Sequence, residues 1–310
     1  MFAYDWRRDL DWISAAEANE HSLATLIEQV REQTGAAQVV LIGHSMGGLV
    51  AQRYIDSGTN AEHVATLITI GTPWLGAVSA MQALWFGSDF GMCFFEQCIL
   101  NPAKARTLAR HFPSIYTLLP TATYYEYYHG ADGRHPRPFR GVNEQGRFDP
   151  QGEPLSFAAW YNVMANHPGM SRLLYDQVLA IQQQTRVAPG VAYHHLVGFT
   201  DTPTTPGILQ VVPLDPAVAA CTGESCPMYD EAMADDTITS IDGDGVVPIG
   251  SAVRCVWQGQ PIPESHVYQF QGTDDQAGHL KMLNNPQARQ TILALLHGNT
   301  VAGNLCAATP

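Results

Sequence analysis

Gln38-Val39-Val40-Leu41-Ile42-Gly43-His44-Ser45-Met46-Gly47-Gly48-Leu49-Val50 decides the fold of this 310-residue chain. A short β-branched apolar run reaches Gly43, and a single serine stands between Gly43 and Gly47. Met46, Val50 and Tyr54 then recur at helical spacing. Strand, sharp turn and helix with G-x-S-x-G at the turn make a nucleophile elbow. A serine displayed on a strained turn needs neighbours without bulky Cβ groups, so glycine flanks it, and Gly48 lets the following helix pack closely. The first N–H groups of that helix lack intrahelical partners and face developing negative charge.

Outward from the elbow the pattern alternates. Leu23, Leu26, Ile27 and Val30 mark one face of a helix expected to stop at Gly35. The elbow helix is expected over 46–57, ended by Gly58, and Ala65–Ile70 reads as the next buried strand. Residues 1–4 read as the end of an earlier strand, and the elbow strand as a central one. Such alternation predicts a parallel α/β sheet. After Trp74 it breaks. Residues 76–190 hold helical pieces at Ala103–Phe112, Pro154–Met164 and Ser171–Gln184 between loops rich in glycine and proline. They read as one inserted cap, leaving 1–75 and 191–310 as the core. Tyr124, Tyr125, Tyr127 and Tyr128 fit either ordinary packing or a mobile lid over a lipid site. The sheet resumes at Tyr193–Gly198 and Val267–Phe270, and Asn285-Pro286 opens a last helix ending near His297.

A serine hydroxyl reacts only when a histidine takes its proton and an acid orients that histidine. In α/β-hydrolases these follow the serine in the order acid, then histidine, in loops after strands. Asp242-Gly243-Asp244-Gly245 and Gly278-His279-Leu280 supply them in that order. Asp244 is the expected acid, with Asp242 its competitor across a glycine turn. The D-x-D-G run lacks the later ligands of a calcium loop, so no metal and no cofactor are expected.

Composition narrows the partners. Hydrophobic residues make up 45% of the chain, and 29 acidic against 16 basic residues give a net charge of −13. That charge argues against nucleic acid and against anchoring on anionic lipid, so any lipid contact would be hydrophobic. No long apolar run or signal-peptide pattern is present in this chain. Cys93/Cys98 and Cys221/Cys226 each enclose four residues in loop-like sequence. With Cys255 and Cys306 they favour disulfides and a secreted or otherwise oxidising compartment over free thiols.

Several segments together resemble the lecithin–cholesterol acyltransferase family, which includes lysosomal phospholipase A2 and phospholipid:diacylglycerol acyltransferases. They are Tyr4-Asp5-Trp6-Arg7, the elbow with His44, Gly71-Thr72-Pro73-Trp74-Leu75-Gly76, and Phe112–Pro120. Asp242–Val246, Cys255-Val256-Trp257-Gln258-Gly259 and His279–Met282 follow in order. The resemblance implies an α/β-hydrolase with an inserted cap, in which Ser45 is the nucleophile, Asp244 the acid and His279 the base. It implies Met46 as a backbone oxyanion donor, Trp74 and Leu75 as substrate-binding residues, and a lipid acyl ester as substrate. Two departures go with it. The chain begins almost at the Tyr-Asp-Trp-Arg motif, where family members first carry further strands and the loop with a second oxyanion donor. The sequence is therefore expected to be a fragment, or to take those strands from elsewhere. Cys255 matches a family disulfide cysteine whose partner's place, near His195, holds none, so Cys255 pairs with Cys221 or Cys226 or stays free. The other functional readings are a generic esterase or deacylase and a non-catalytic fragment or binding protein. The oligomeric state is not readable from the sequence.

Overall fold

The computed structural model describes residues 1–15, 20–87, 93–94, 97–98, 102–127, 137–254, 256–257, 260–261, 265–299, 301 and 304–305. Cys255, Cys306, Tyr128 and Gly259 lie outside them. The described chain forms two compact units. One comprises Met1–Leu75, Ala180–Thr205 and Asp242–Pro310, the other Gly76–Leu179 and Pro206–Ile241.

The first unit is built on a five-stranded sheet in the order Val39–His44, Val64–Ile70, Ala192–Thr200, Ser265–Gly272, Asn304–Leu305. The first four strands run parallel and only the last is antiparallel. Parallel strands need crossovers, and the elbow helix Met46–Asp56 supplies the first. Ile68, Ile70, Leu196, Phe270 and Met282 pack into one apolar cluster of this unit with Ile292 of helix Pro286–Leu296. The helix boundaries follow local chemistry. Helix Leu23–Thr34 starts with the Ser22 side chain accepting from Thr25 N–H and stops at Gly35 in the left-handed region, φ 70°. The last helix starts with Asn285 accepting from Gln287 and Ala288.

Two expectations are corrected here. The elbow strand is not central among the described residues. It pairs only with Val64–Ile70, and Val40 and Ile42 are 41% and 48% exposed on it. Residues 1–4 form no strand, because a strand needs a ladder partner and the described sheet gives them none. Phe2 and Tyr4 instead stack on each other, ring centroids 5.5 Å apart.

The second unit has a sheet that the sequence reading missed. Its order is Phe148–Asp149, Phe139–Val142, Thr205–Pro213, Ala234–Ile241. Phe139 pairs with Leu209 in parallel register. The boundaries therefore differ from the division at residue 190. Segment 180–205 goes with the core, and 206–241 goes with the unit that begins at Gly76. The expected helices appear at Pro102–Ala109, Phe157–Asn166 and Arg172–Gln184. Tyr124 and Tyr125 are buried, with the Tyr125 ring 5.6 Å from that of Trp160, so this part of the aromatic run packs the unit's core. Cys221 and Cys226 are disulfide-bonded to each other, which removes both as partners for Cys255. Cys93 lies opposite Cys98 on a two-stranded ladder. No helix among the described residues is long and apolar enough to cross a membrane.

Candidate active site

Ser45 stands between the elbow strand and its helix with φ 53° and ψ −130°, a conformation that side-chain-bearing residues avoid. Its N–H donates to Ile70 carbonyl oxygen at 2.9 Å, and its own carbonyl accepts from Gly48 N–H and Thr72 Oγ1. The turn is held from both neighbouring segments. Tightness falls on Gly43 and Gly48 rather than Gly47. A Cβ on Gly48 would stand 2.1 Å from Thr72 Oγ1, whereas one on Gly47 would meet nothing nearer than Tyr4 hydroxyl at 3.9 Å.

Three side chains named from the sequence converge. His279 Nε2 lies 2.9 Å from Ser45 Oγ, and its Nδ1 lies 2.8 Å from Asp244 Oδ2. Asp244 is 2% exposed and His279 8%. The other oxygen of Asp244 accepts from Val246 and Val247 N–H at 3.0 and 2.7 Å, so the buried carboxylate is fully solvated by protein. Burial and two backbone donors fix its orientation. Asp242 is exposed and does not reach the histidine; its carbonyl accepts from Ile249 N–H. His279 follows the strand Ser265–Gly272 and one short helical turn, Asp274–Ala277. Lys281 bonds both Asp274 and Asp275 at 2.8 Å at the rim of that turn.

Gly71, φ 56°, passes directly beside this group. A Cβ there would lie 2.9 Å from Asp244 Oδ2 and 3.2 Å from His279 Nδ1. Only glycine fits both that φ and that approach. Met46 opens the elbow helix, where an N–H has no intrahelical acceptor.

Trp74 and Leu75 are buried, at 2% and 0% exposure. The Trp74 ring carries the Arg254 guanidinium 3.9 Å above its centroid and meets His195 edge-on, and Leu75 N–H donates to Ser251 Oγ. These contacts give both residues a packing role in this structure. Arg254 went unnoticed in the sequence. Arg254 is 0% exposed, a burial that no local pattern announces for an arginine. His44 Nε2 lies 2.8 Å from the backbone oxygen of His279.

Fold and elbow together define an α/β-hydrolase-type protein. Residues 1–132 match the family model described as lecithin:cholesterol acyltransferase, so the resemblance read from the motifs holds over that stretch. Lecithin-cholesterol acyltransferase-like 1 of Arabidopsis thaliana is 26% identical over 102 residues, 32% of this chain and 22% of that protein. Phosphatidylcholine-sterol acyltransferase of Gallus gallus is 28% identical over 109 residues, 34% of this chain and 25% of that protein. The matched segments thus span about a quarter of these relatives' length. A chain in the crystal structure of the Tle4-Tli4 complex superposes with a TM-score of 0.56 at 16% identity, covering 93% of this chain and 66% of that one. That likeness concerns the fold.

Proposed function

We propose that this protein is a serine-dependent hydrolase or O-acyltransferase of lipid acyl esters, working through an acyl-enzyme. The observation that carries the reading is the unbroken hydrogen-bond chain from Ser45 Oγ through His279 to Asp244 Oδ2. In it Ser45 donates to His279 Nε2, and His279 Nδ1–H donates to Asp244. As Ser45 Oγ attacks the ester carbonyl, its proton passes to Nε2 and Asp244 stabilises the imidazolium. The tetrahedral oxyanion accepts from Met46 N–H. His279 then protonates the departing alcohol, leaving the acyl group on Ser45. Water or an acceptor alcohol, deprotonated by His279, releases it. No cofactor enters these steps.

The lipid part rests on the relatives, whose names pair a phosphatidylcholine donor with a sterol acceptor. The disulfide Cys221–Cys226 supports an oxidising compartment. With a net charge of −13, contact with a lipid surface is read as apolar, through the unit that begins at Gly76. Ser45→Ala should lower kcat by about 10⁶-fold while leaving the thermal transition in place. A fluorophosphonate should label the wild type alone; equal labelling of both proteins would remove Ser45 from the reaction. A p-nitrophenyl ester series should show rising kcat/KM with acyl length, and a preference for the shortest esters would favour a general esterase.

A further inference from the structure

His44 is the last residue of the elbow strand, paired in register with Ile70, and its neighbour in sequence is Ser45. Its side chain reaches the loop after the fourth strand, with Nε2 2.8 Å from the carbonyl oxygen of His279. A carbonyl only accepts, so Nε2 carries the hydrogen and His44 is the donor. The N–H of His279 donates in turn to the carbonyl of Asp244 at 2.7 Å. Both backbone polar groups of His279 are therefore tied down, one by the acid's loop and one by the elbow.

We propose that His44 is a positioning residue, a neutral donor that clamps the backbone of His279 so that its ring stays aimed at Ser45. The proposal rests on Ser45, His279 and Asp244 being the reacting set. Adjacency in sequence gives the clamp its precision. His44 and Ser45 share one turn, which Ile70 and Thr72 hold from the next strand and its loop, so nucleophile and clamp move as one body. Reaction geometry tolerates errors of about 0.5 Å, and a histidine on a surface loop drifts further unless its main chain is fixed.

Shape alone does not account for the contact. The two imidazoles lie 4.9 Å apart at an interplanar angle of 44°, neither stacked nor edge-on. The titratable groups facing His44 among the described residues are the His279 ring and the Asp244 carboxylate. Burial holds the His44 imidazole below its ordinary value. A neutral ring suits the role, because a cation here would oppose the imidazolium that His279 becomes.

Two variants test this. Leucine fills much of the volume of His44 without a donor, and glutamine keeps an amide N–H at similar reach. His44→Leu should lower kcat by about 10- to 100-fold with KM changed less than about twofold. His44→Gln should recover most of that loss, with a pH–rate profile superimposable on wild type. Equal losses in both variants, a loss carried by KM, or a profile that loses a limb in His44→Gln would each overturn the proposal. The downfield proton resonance of His279 Nδ1–H gives a readout independent of turnover. It should broaden or vanish in His44→Leu and persist in His44→Gln. That order in a protein without esterase activity would uphold the clamp and sink the reaction assignment. An unchanged resonance in both variants would sink the clamp.

Discussion

Around His279 the polar groups are matched to partners, whereas around Arg254, in the same unit, several are left over. The first group is closed: Ser45, His279, Asp244, Val246 and Val247 form a run of donors and acceptors with both carboxylate oxygens satisfied. In the second, Arg254 Nη1 donates to Gln52 at 2.7 Å, but among the described residues its Nε and Nη2 have no hydrogen-bond partner, nor do His195 Nε2, Trp74 Nε1 and Asp56 Oδ2. Both groups are buried, so exposure is not what separates them. A satisfied buried network rigidifies a site, while each unmatched donor or acceptor costs roughly 1–3 kcal/mol. The chain spends its precision at the ends of the strands, where loops can be shaped to the chemistry. Within the sheet, at Thr69 and His195, the backbone dictates where polar atoms fall.

The sharpest break of this contrast is Asp244→Asn. An amide in place of the buried carboxylate favours the wrong tautomer of His279 and should cost about 10⁴ in kcat. Asp242→Asn, exposed and away from the ring, should leave kcat within about twofold. The reverse ranking in steady-state kinetics would show that the closed network is not the working one.

Arg254→Met comes next. Arg254 has no carboxylate within ion-pairing distance among the described residues, and burial lowers its guanidinium to about 10. Replacing such a buried charge by an apolar chain of similar volume should stabilise the fold by about 1–3 kcal/mol, read from urea midpoints. Destabilisation would mean that the leftover donors are satisfied in solution, for instance by buried water.

The smallest effect is a pH slope. His195 is buried and held well below its ordinary value, chiefly by desolvation and then by Arg254; His194 is held at about 4 by burial and the nearby His266. Both ordinarily titrate at 6.5. Below that pH the unfolded chain binds protons that the folded one refuses, so stability should fall as pH drops from about 6.5 toward 4. His194→Gln should flatten part of the slope in urea titrations at several pH values. An unchanged slope would place the acid sensitivity at His195 or elsewhere.

What was legible in the sequence follows the same divide. The elbow was readable because a strained turn needs glycine at fixed offsets and because strand and helix periodicities flank it. The acid and histidine were readable as loop residues that follow the serine in the order acid, then histidine. The sheet of the second unit was not. Its strand Thr205–Pro213 alternates cleanly between buried and half-buried positions, yet it carries Pro206, Gly207 and Pro213, which read as loop. Its partner Phe139–Val142 has only four residues, too few for periodicity to declare itself. Arg254 was illegible for a different reason. Burial of an arginine depends on what the rest of the fold stacks against it, here Trp74 from a segment 180 positions earlier.

The discontinuous second sheet also bears on how this chain can be made. Phe139 must wait for Leu209 before its ladder closes, and the core strand Ala192–Thr200 is synthesised in between. A nascent chain ending near residue 200 would hold the second unit's helices from Val78–Trp85 to Phe157–Asn166 but only two short strands of its sheet. During synthesis that unit exposes an unpaired edge for as long as the ribosome takes to add the next forty residues, at about 5–20 residues per second. Edges of that kind invite pairing with other chains. Crowded expression should punish this unit before it punishes the elbow, and slower initiation, which spaces the ribosomes, should favour soluble product. Transplanting the unit between relatives would require four joints in the chain, one at each end of Gly76–Leu179 and of Pro206–Ile241, with the Ala180–Thr205 segment staying behind.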